Sequence, residues 1–479
     1  VVEANGNEQP SHDREWPIIV KGNLLRDEMN DIAEAPRKTW FWELAAGVID
    51  ADRCIECGTC VAVCPSNSIG VNQLTNLPEL VKMCTGCSMC WDFCPRAGLR
   101  YEATWPPATP DPVATPVAIG TKPAELISKP DPADPYFSLE GVDPGHGLGR
   151  VLGAYSVRSA SRNDEAQDGG AVTALLAALL KAGAIDGALV SKPSSDPTTP
   201  WKGVATIATN AAELRATSGS FYNQTMALAE LNLSKYKLPM KPRIAVVVTP
   251  CAVEGLRAMQ SHRWPTGDHR VDAVTLSIAL MCTKNFDYDS LVLGDLELER
   301  GIDLRRVSKI DVTRGRLIVE YVDGAIALDE PIKNFHHSAL KGCDECADFM
   351  GRSADIAVGS VGSDDGWTTV LIRTEKGMLA FDQMRGAFDI RDLGDSQALL
   401  RLDQLDQKIA TQALQRHLDP LGSYFIEYEE HVKNYQYTER TPVLIRAKTA
   451  VTVSQFRRKV QAAHQKEHQS RSTVVPDPS

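Results

Sequence analysis

Two cysteine runs constrain this chain more than any other feature: Cys54, Cys57, Cys60 and Cys64 followed by Pro65, and Cys84, Cys87, Cys90 and Cys94 followed by Pro95. Each reads C-x2-C-x2-C-x3-C-P. In that spacing three close thiolates grip one face of a [4Fe-4S] cubane, and the distal cysteine of each run ligates the other cluster. Cys54, Cys57, Cys60 and Cys94 are thereby assigned to one cluster, and Cys84, Cys87, Cys90 and Cys64 to the second. Zinc also accepts four thiolates, but a doubled run with a proline after each fourth cysteine favours iron-sulfur. The four remaining cysteines are spread out, Cys251 and Cys282 singly and Cys343 with Cys346 as a C-x2-C pair. Two buried thiols and a chance pair would account for them. One further four-cysteine site would use every thiol left, and spacing alone does not separate iron-sulfur from zinc there.

The length, 479 residues, corresponds to roughly three domains. Lys and Arg number 51 against 62 Asp and Glu, a net charge of −11, which disfavours nucleic acid or an anionic membrane as the main partner. The most apolar long window, Ala171 to Val190, is broken by Lys181 and Asp186, so no membrane span is expected. Val1 to Arg14 is polar and acidic and lacks the layout of a secretory signal. A cytoplasmic protein, peripheral on the membrane at most, is expected, and in that compartment cysteines serve as metal ligands before disulfides.

Residues 1–48 form a polar extension ending in Trp40, Phe41 and Trp42, expected to pack on the neighbouring domain. Residues 49–103 are the two-cluster ferredoxin domain. Residues 104–148 hold nine prolines between Trp105 and Pro135, the composition of an extended arm. Across 149–376 the pattern alternates: a helix over Ala171 to Ala182, strands over Gly187 to Ser191 and Arg243 to Thr249, a helix over Val253 to Gln260, and a strand over Val274 to Met281. Strand, crossover and strand predict an α/β (α+β) core with a mixed sheet beside the small ferredoxin-like domain. Arg306 to Thr313 and Leu317 to Tyr321, across Arg314-Gly315-Arg316, predict an inserted hairpin. Residues 377–445 read as helical, and 446–479 as a charged, Gln/His-rich tail of unstructured composition.

Gly169-Gly170 directly precedes the first of those helices. Small residues let backbone N–H groups approach an anion at a helix N-terminus; a plain turn before a core helix is the alternative.

Several separated blocks resemble the beta subunits of coenzyme F420-reducing hydrogenases and dehydrogenases over roughly 150–376. They are Gln167-Asp168-Gly169-Gly170-Ala171-Val172-Thr173, Ser218-Gly219-Ser220-Phe221-Tyr222, Pro250-Cys251 with Gly255-Leu256-Arg257, Cys282-Thr283-Lys284-Asn285-Phe286, Gly342-Cys343 with Cys346, and Gly366-Trp367-Thr368-Thr369-Val370. The resemblance implies FAD in the α/β domain and moves Cys251, Cys282, Cys343 and Cys346 to a third [4Fe-4S] cluster. Its implied contacts for the flavin or the anionic coenzyme are Asp168, Gly169, Gly170, Thr173, Gly219, Ser220, Tyr222, Lys284, Asn285, Lys309, Trp367 and Thr368. Phe221 and Asn223 depart from the lysine and small residues common in the family.

The activity so implied is hydride exchange between coenzyme F420 and FAD, with single electrons passing through three clusters to or from a larger redox enzyme or respiratory complex. A hydride carrier moves two electrons and a cluster one, so a flavin belongs between them. No acid–base residue is required. Two alternatives stand beside this: a ferredoxin-dependent flavoenzyme reducing a tetrapyrrole-type substrate, and a non-catalytic electron-wiring subunit.

Overall fold

The computed structural model describes residues 41–50, 52–87, 89–96, 148, 151–160, 166–261, 270–383 and 385–414. The extension before residue 41, the proline-rich arm up to residue 147 and everything from residue 415 lie outside the described residues.

The cysteine-rich segment contributes a hairpin of β1 (Ile69–Val71) and β2 (Pro78–Leu80). A large sheet then takes β3 (Gly153–Ser159), β4 (Gly187–Pro193), β5 (Gly203–Ala208), β6 (Ile244–Val248) and β7 (Val274–Leu280). An inserted antiparallel sheet of β8 (Val307–Thr313), β9 (Arg316–Tyr321) and β10 (Ile326–Pro331) follows. The chain returns to the large sheet with β11 (Ile356–Gly359), β12 (Thr368–Ile372) and β13 (Phe388–Asp392). The order across the large sheet is β13-β3-β12-β11-β7-β6-β4-β5. Its four central strands β11, β7, β6 and β4 run parallel, and the flanking strands are antiparallel. The mixed α/β sheet expected from the alternation is therefore present.

Side-chain alternation puts the two faces of this sheet into different cores. Ala245 and Val247 of β6, Ile356 and Val358 of β11, and Val370 and Ile372 of β12 pack with Leu175, Leu176 and Leu179 of the helix Ala171–Lys181 and Phe381 of the helix Glu375–Asp382. Ile244, Val246 and Val248, with Ala357 and Leu371, pack on the opposite side against Leu256 of the helix Pro250–Ser261 and against Ile55 and Phe93 of the cysteine-rich segment. The small domain is thus part of the cover of one sheet face. Phe41 is buried beside Cys60, Cys90 and Trp91, while Trp42 is exposed.

The inserted element has a third strand, β10, beyond the expected hairpin, and β13 lies in the stretch read as helical. β13 is a short edge strand whose Phe388 and Ile390 pack on one side while Asp389, Arg391 and Asp392 are exposed. Two apolar residues among five leave little alternation to read.

Asp355 joins these layers. Its Oδ2 accepts from Ser277 N at 2.8 Å and Ser277 Oγ at 2.9 Å, and its Oδ1 accepts from Thr374 Oγ1 at 2.8 Å and faces Arg257 Nη2 at 2.8 Å. Burial alone would raise its pKa, but Arg257 and then Lys376 outweigh it and hold the carboxyl below its ordinary value. A depressed carboxylate contributes stability above the unfolded value of about 3.9 and loses it as pH falls below that value. Arg257→Met is expected to destabilise the fold by about 3–5 kcal/mol in chemical denaturation at neutral pH, because it leaves a buried carboxylate unpaired. The deficit should shrink on acidification.

Candidate redox centre

Two short helices, Thr59–Val63 and Met89–Asp92, carry Cys60 and Cys90 and lie against each other. Cys64, held before Pro65, is extended, with φ −69° and ψ 108°, the conformation that a following proline enforces. Cys54, Cys57, Cys60 and Cys94 line one cavity together with Leu44, Val48, Ile55 and Met226. The structure therefore brings Cys94 of the second run beside the first three cysteines of the first. Cys90 has Cys87, Cys84 and Cys64 as its strongest charge neighbours.

Cys251 and Cys282 follow the C-terminal ends of the adjacent parallel strands β6 and β7, the edge at which α/β sheets bind ligands. Cys343 and Cys346 come from the turn Lys341–Glu345 and its flank. Cys282 faces Cys343, Cys251 and Cys346, so all four dispersed cysteines meet. Burial pushes the thiols of Cys54, Cys60, Cys90, Cys282 and Cys346 well above the ordinary cysteine range, and Cys94 up to about 12; neighbouring cysteines add to the push at Cys60, Cys90 and Cys282. Buried thiols in fours ionise when cations sit among them, and this donor set fits [4Fe-4S] clusters. Among the described residues no three His, Cys, Asp or Glu side chains converge tightly enough for a single ion.

Donors already face the sulfurs. Glu56 N donates to Cys54 Sγ at 3.4 Å, Gly86 N to Cys84 Sγ at 3.4 Å, Ser68 N to Cys64 Sγ at 3.2 Å, and Asn285 Nδ2 to Cys282 Sγ at 3.2 Å. Thr59 and Thr249 hydroxyls lie 3.2 Å from Cys57 and Cys251.

The first and third quartets are tied by groups next to their own ligands. Arg53, beside Cys54, makes a buried bidentate pair with Glu345, beside Cys346, at 2.8 and 2.6 Å. Arg96 donates from Nε to the Gly342 carbonyl at 2.7 Å. A Cβ on Gly342 would lie 2.1 Å from the Arg53 carbonyl oxygen, so only glycine allows this approach. Met226 N and Leu228 N donate to the carbonyls of Glu56 and Cys57 at 3.1 and 3.2 Å.

The expected flavin contacts fall into two groups. Gly169 is pressed between β3 and β12: its N–H donates to Thr368 Oγ1 at 3.1 Å, and a Cβ would meet the Val157 carbonyl at 2.4 Å. Its N–H therefore holds the sheet, and the helix starts after Gly170 with Asp168 and Thr173 half-buried beside its first turn. Tyr222 accepts from Val312 N at 2.7 Å and donates to Asp311 Oδ1 at 3.3 Å. Burial, then the charge of Asp311, pushes its phenol up, with Asp168 adding to the push. Lys309 pairs with Asp311 at 3.2 Å. Gln167 Nε2 and Ser218 Oγ, in the two glycine-bearing blocks, are buried without a protein partner, the kind of group a bound ligand satisfies. Ser220 is half-buried and Gly219 exposed, with φ +104°. Trp367 is buried under Arg391, whose guanidinium stacks 3.8 Å above the ring.

Lys284 and Asn285 stand elsewhere: Lys284 pairs with Asp344, and Asn285 faces Cys282, both beside the third quartet. Sequence reasoning missed Arg53, Arg96, Glu345, Gln224 and Asp406. Gln224 Nε2 bonds Thr249 Oγ1 at 3.0 Å and approaches Cys251 Sγ at 3.9 Å. Asp406 lies on the helix Ser396–Leu414, which packs over Lys341–Glu345 and is clamped by Arg352 to Asp403 at 2.8 and 2.7 Å. The two arginines had a signal, a cation flanking each end of the paired runs.

Residues 154–232 and 241–395 match, in turn, the N-terminal and C-terminal family descriptions of the coenzyme F420 hydrogenase/dehydrogenase beta subunit, and residues 47–99 match a 4Fe-4S dicluster domain. The chain is 35% identical over 234 residues to the coenzyme F420 hydrogenase subunit beta of Methanothermobacter thermautotrophicus, covering 47% of this chain and 80% of that one. It is 30% identical over 381 residues to the coenzyme F420-dependent sulfite reductase of Methanocaldococcus jannaschii, covering 77% of this chain and 51% of that one, about half its length. A chain of the F420-reducing [NiFe] hydrogenase complex from Methanosarcina barkeri aligns with TM-score 0.52 and 27% identity over 56% of this chain and 93% of that one.

Two outcomes follow from the geometry. Arg53→Met should cost about 3–5 kcal/mol in denaturation by orphaning Glu345, and the double change with Glu345→Leu should recover much of it. Burial, then Asp403, pushes Asp406 up to about 8, with Lys284 opposing and Asp348 and Asp344 adding. An acid whose folded pKa is raised stabilises least when it must ionise, so stability should decline from about pH 4 to about pH 8 and Asp406→Asn should flatten that decline.

Proposed function

The chain belongs to the coenzyme F420 hydrogenase/dehydrogenase beta-subunit family, and on that premise we propose that it is an oxidoreductase subunit exchanging a hydride between coenzyme F420 and FAD and passing single electrons through three [4Fe-4S] clusters to or from a partner redox enzyme. Bound FAD supplies the exchange between two-electron and one-electron chemistry.

One observation carries this reading: the short segment Tyr222–Met226 touches the candidate flavin region, the third quartet and the first. Tyr222 bonds Asp311 and Val312 of the inserted sheet, Gln224 reaches Cys251, and Met226 bonds Glu56 beside Cys57. Five residues span at most about 18 Å, so the candidate flavin region, the third quartet and the first are held within one short stretch of backbone. The first quartet stands between the other two. Cys57 acts on Cys251 of the third, and Cys90 of the second acts on Cys60.

The residues have distinct tasks. The helix start at Ala171 and Thr173 receives an anionic cofactor group, Gln167 and Ser218 offer buried polar atoms, and Tyr222 with Lys309 and Asp311 forms the facing wall. The sulfur donors Thr59, Thr249, Asn285 and the backbone N–H groups stabilise the added negative charge of reduced clusters. Cys84 and Cys87 are half-buried, and Val81 and Met83 beside them are exposed. That end of the series faces outward, toward a partner of the hydrogenase, dehydrogenase or reductase kind.

The test is anaerobic mixing of the reconstituted protein with reduced coenzyme F420, following coenzyme and flavin absorbance together, with NADH as the control donor. Oxidation of the coenzyme with reduction of flavin and then of clusters is expected. A flavin that answers only to reduced ferredoxin would overturn the coenzyme assignment.

A further inference from the structure

Arg96 follows the second cysteine run and is buried between the small domain and the sheet domain, with 4% of its surface exposed. Its Nε and Nη1 are spent on the carbonyls of Gly342 and Pro95 at 2.7 and 3.0 Å, while its buried Nη2 has no hydrogen-bond partner. Burial disfavours its charge, but Cys346, Glu254, Glu345 and Cys251 around it outweigh burial and keep it cationic. Its charge acts on Cys57 and Cys94 of the first quartet and on Cys251, Cys343 and Cys346 of the third. Cys90 of the second quartet answers to its own thiol neighbours and to Cys94.

We propose that Arg96 is a shared positioning charge that raises the reduction potentials of the first and third clusters together, and more than that of the second, and that its unpartnered Nη2 donates toward a cluster sulfur. The inference rests on the three-cluster reading above. Reduction adds one negative charge to a cluster, and a buried cation between two clusters stabilises that charge on either one. Net charge and hydrogen bonds to sulfur are the levers by which a protein sets such potentials. Glu254, buried beside Arg96 and acting on Cys346, opposes it, so the two residues make predictions of opposite sign.

The experiment is a redox titration followed by electron paramagnetic resonance on the full reconstituted chain, with iron quantified, comparing the unchanged protein with Arg96→Gln, Arg96→Lys and Glu254→Gln. Signals are assigned with Cys84→Ser and Cys282→Ser. Arg96→Gln should move the first and third potentials negative and the second by less. Arg96→Lys, which keeps the charge and loses the planar fork, should move them less. Glu254→Gln should move the third potential positive. Unchanged potentials in Arg96→Gln with three clusters present, or an equal shift of all three, overturns the proposal. If Arg96→Gln loses its clusters, absence of any shift in both other variants overturns it equally. Fewer than three clusters in the unchanged protein overturns the cluster reading instead, and iron content tells the two failures apart.

Discussion

The buried pair of Arg53 and Glu345 is the constraint from which the arrangement of the centre follows. Each residue is the immediate chain neighbour of a cysteine, Cys54 on one side and Cys346 on the other, so a bond of 2.6 to 2.8 Å between them fixes the spacing of two quartets drawn from different domains. A buried ion pair is weak evidence of net stability, because well-packed apolar residues often serve as well. What it supplies here is register. The guanidinium and carboxylate meet in one bidentate geometry, and a slip of either loop would leave a charge in the core without its counterpart. Gly342 is a companion of the pair: the Arg53 carbonyl lies where its Cβ would be.

The other side of the centre depends on the sheet. Parallel strands β6 and β7 end together, and the residues just past those ends, Cys251 and Cys282, are thereby adjacent whatever the sequence between them. Their separation in the chain conceals a separation in space of one strand. Away from that edge, at the start of β11, Asp355 ties the scaffold together by binding β7 through Ser277, the helix after β6 through Arg257, and the helix after β12 through Thr374. Ligand-bearing loops on a rigid scaffold are the common solution for placing functional groups, and here the scaffold is the parallel core.

Legibility in the sequence followed the range of the interaction. Cysteine spacing is local, and the structure gathers Cys54, Cys57 and Cys60 with Cys94 around one cavity, as the crossed assignment expected. The alternation of β4, β6 and β7 is local too, and the mixed sheet followed from it. The edge strand β13 did not, since an edge strand with one covered face and three charged residues carries almost no hydrophobic period. Lys284 and Asn285 were read as cofactor contacts from a motif, yet their block follows Cys282, and geometry places them beside that sulfur. Arg53 and Arg96 flank the cysteine runs, but their pairing with Glu345 and with the Gly342 carbonyl was invisible because the partners lie 292 and 246 residues away. Asp406 was hidden for the same reason, on a helix that begins at Ser396, one residue past the matched family region.

Charge is the remaining constraint. On the three-cluster reading each quartet would bury negative charge, in a chain whose net charge is already −11, and an isolated buried anion is costly. Surface lysines cannot relieve this, because solvent screens them. Relief has to be internal, from N–H and hydroxyl donors at the sulfurs and from the two buried arginines. Lys284 beside the third quartet is paired with Asp344, so little of its charge is left over for the cysteines. Asp406, pushed up to about 8, is largely protonated at neutral pH and adds little charge beside Cys282. Arg96 acts on cysteines of both the first and the third quartets, Arg53 on Cys94, and Glu56 and Glu254 oppose them at Cys54 and Cys346.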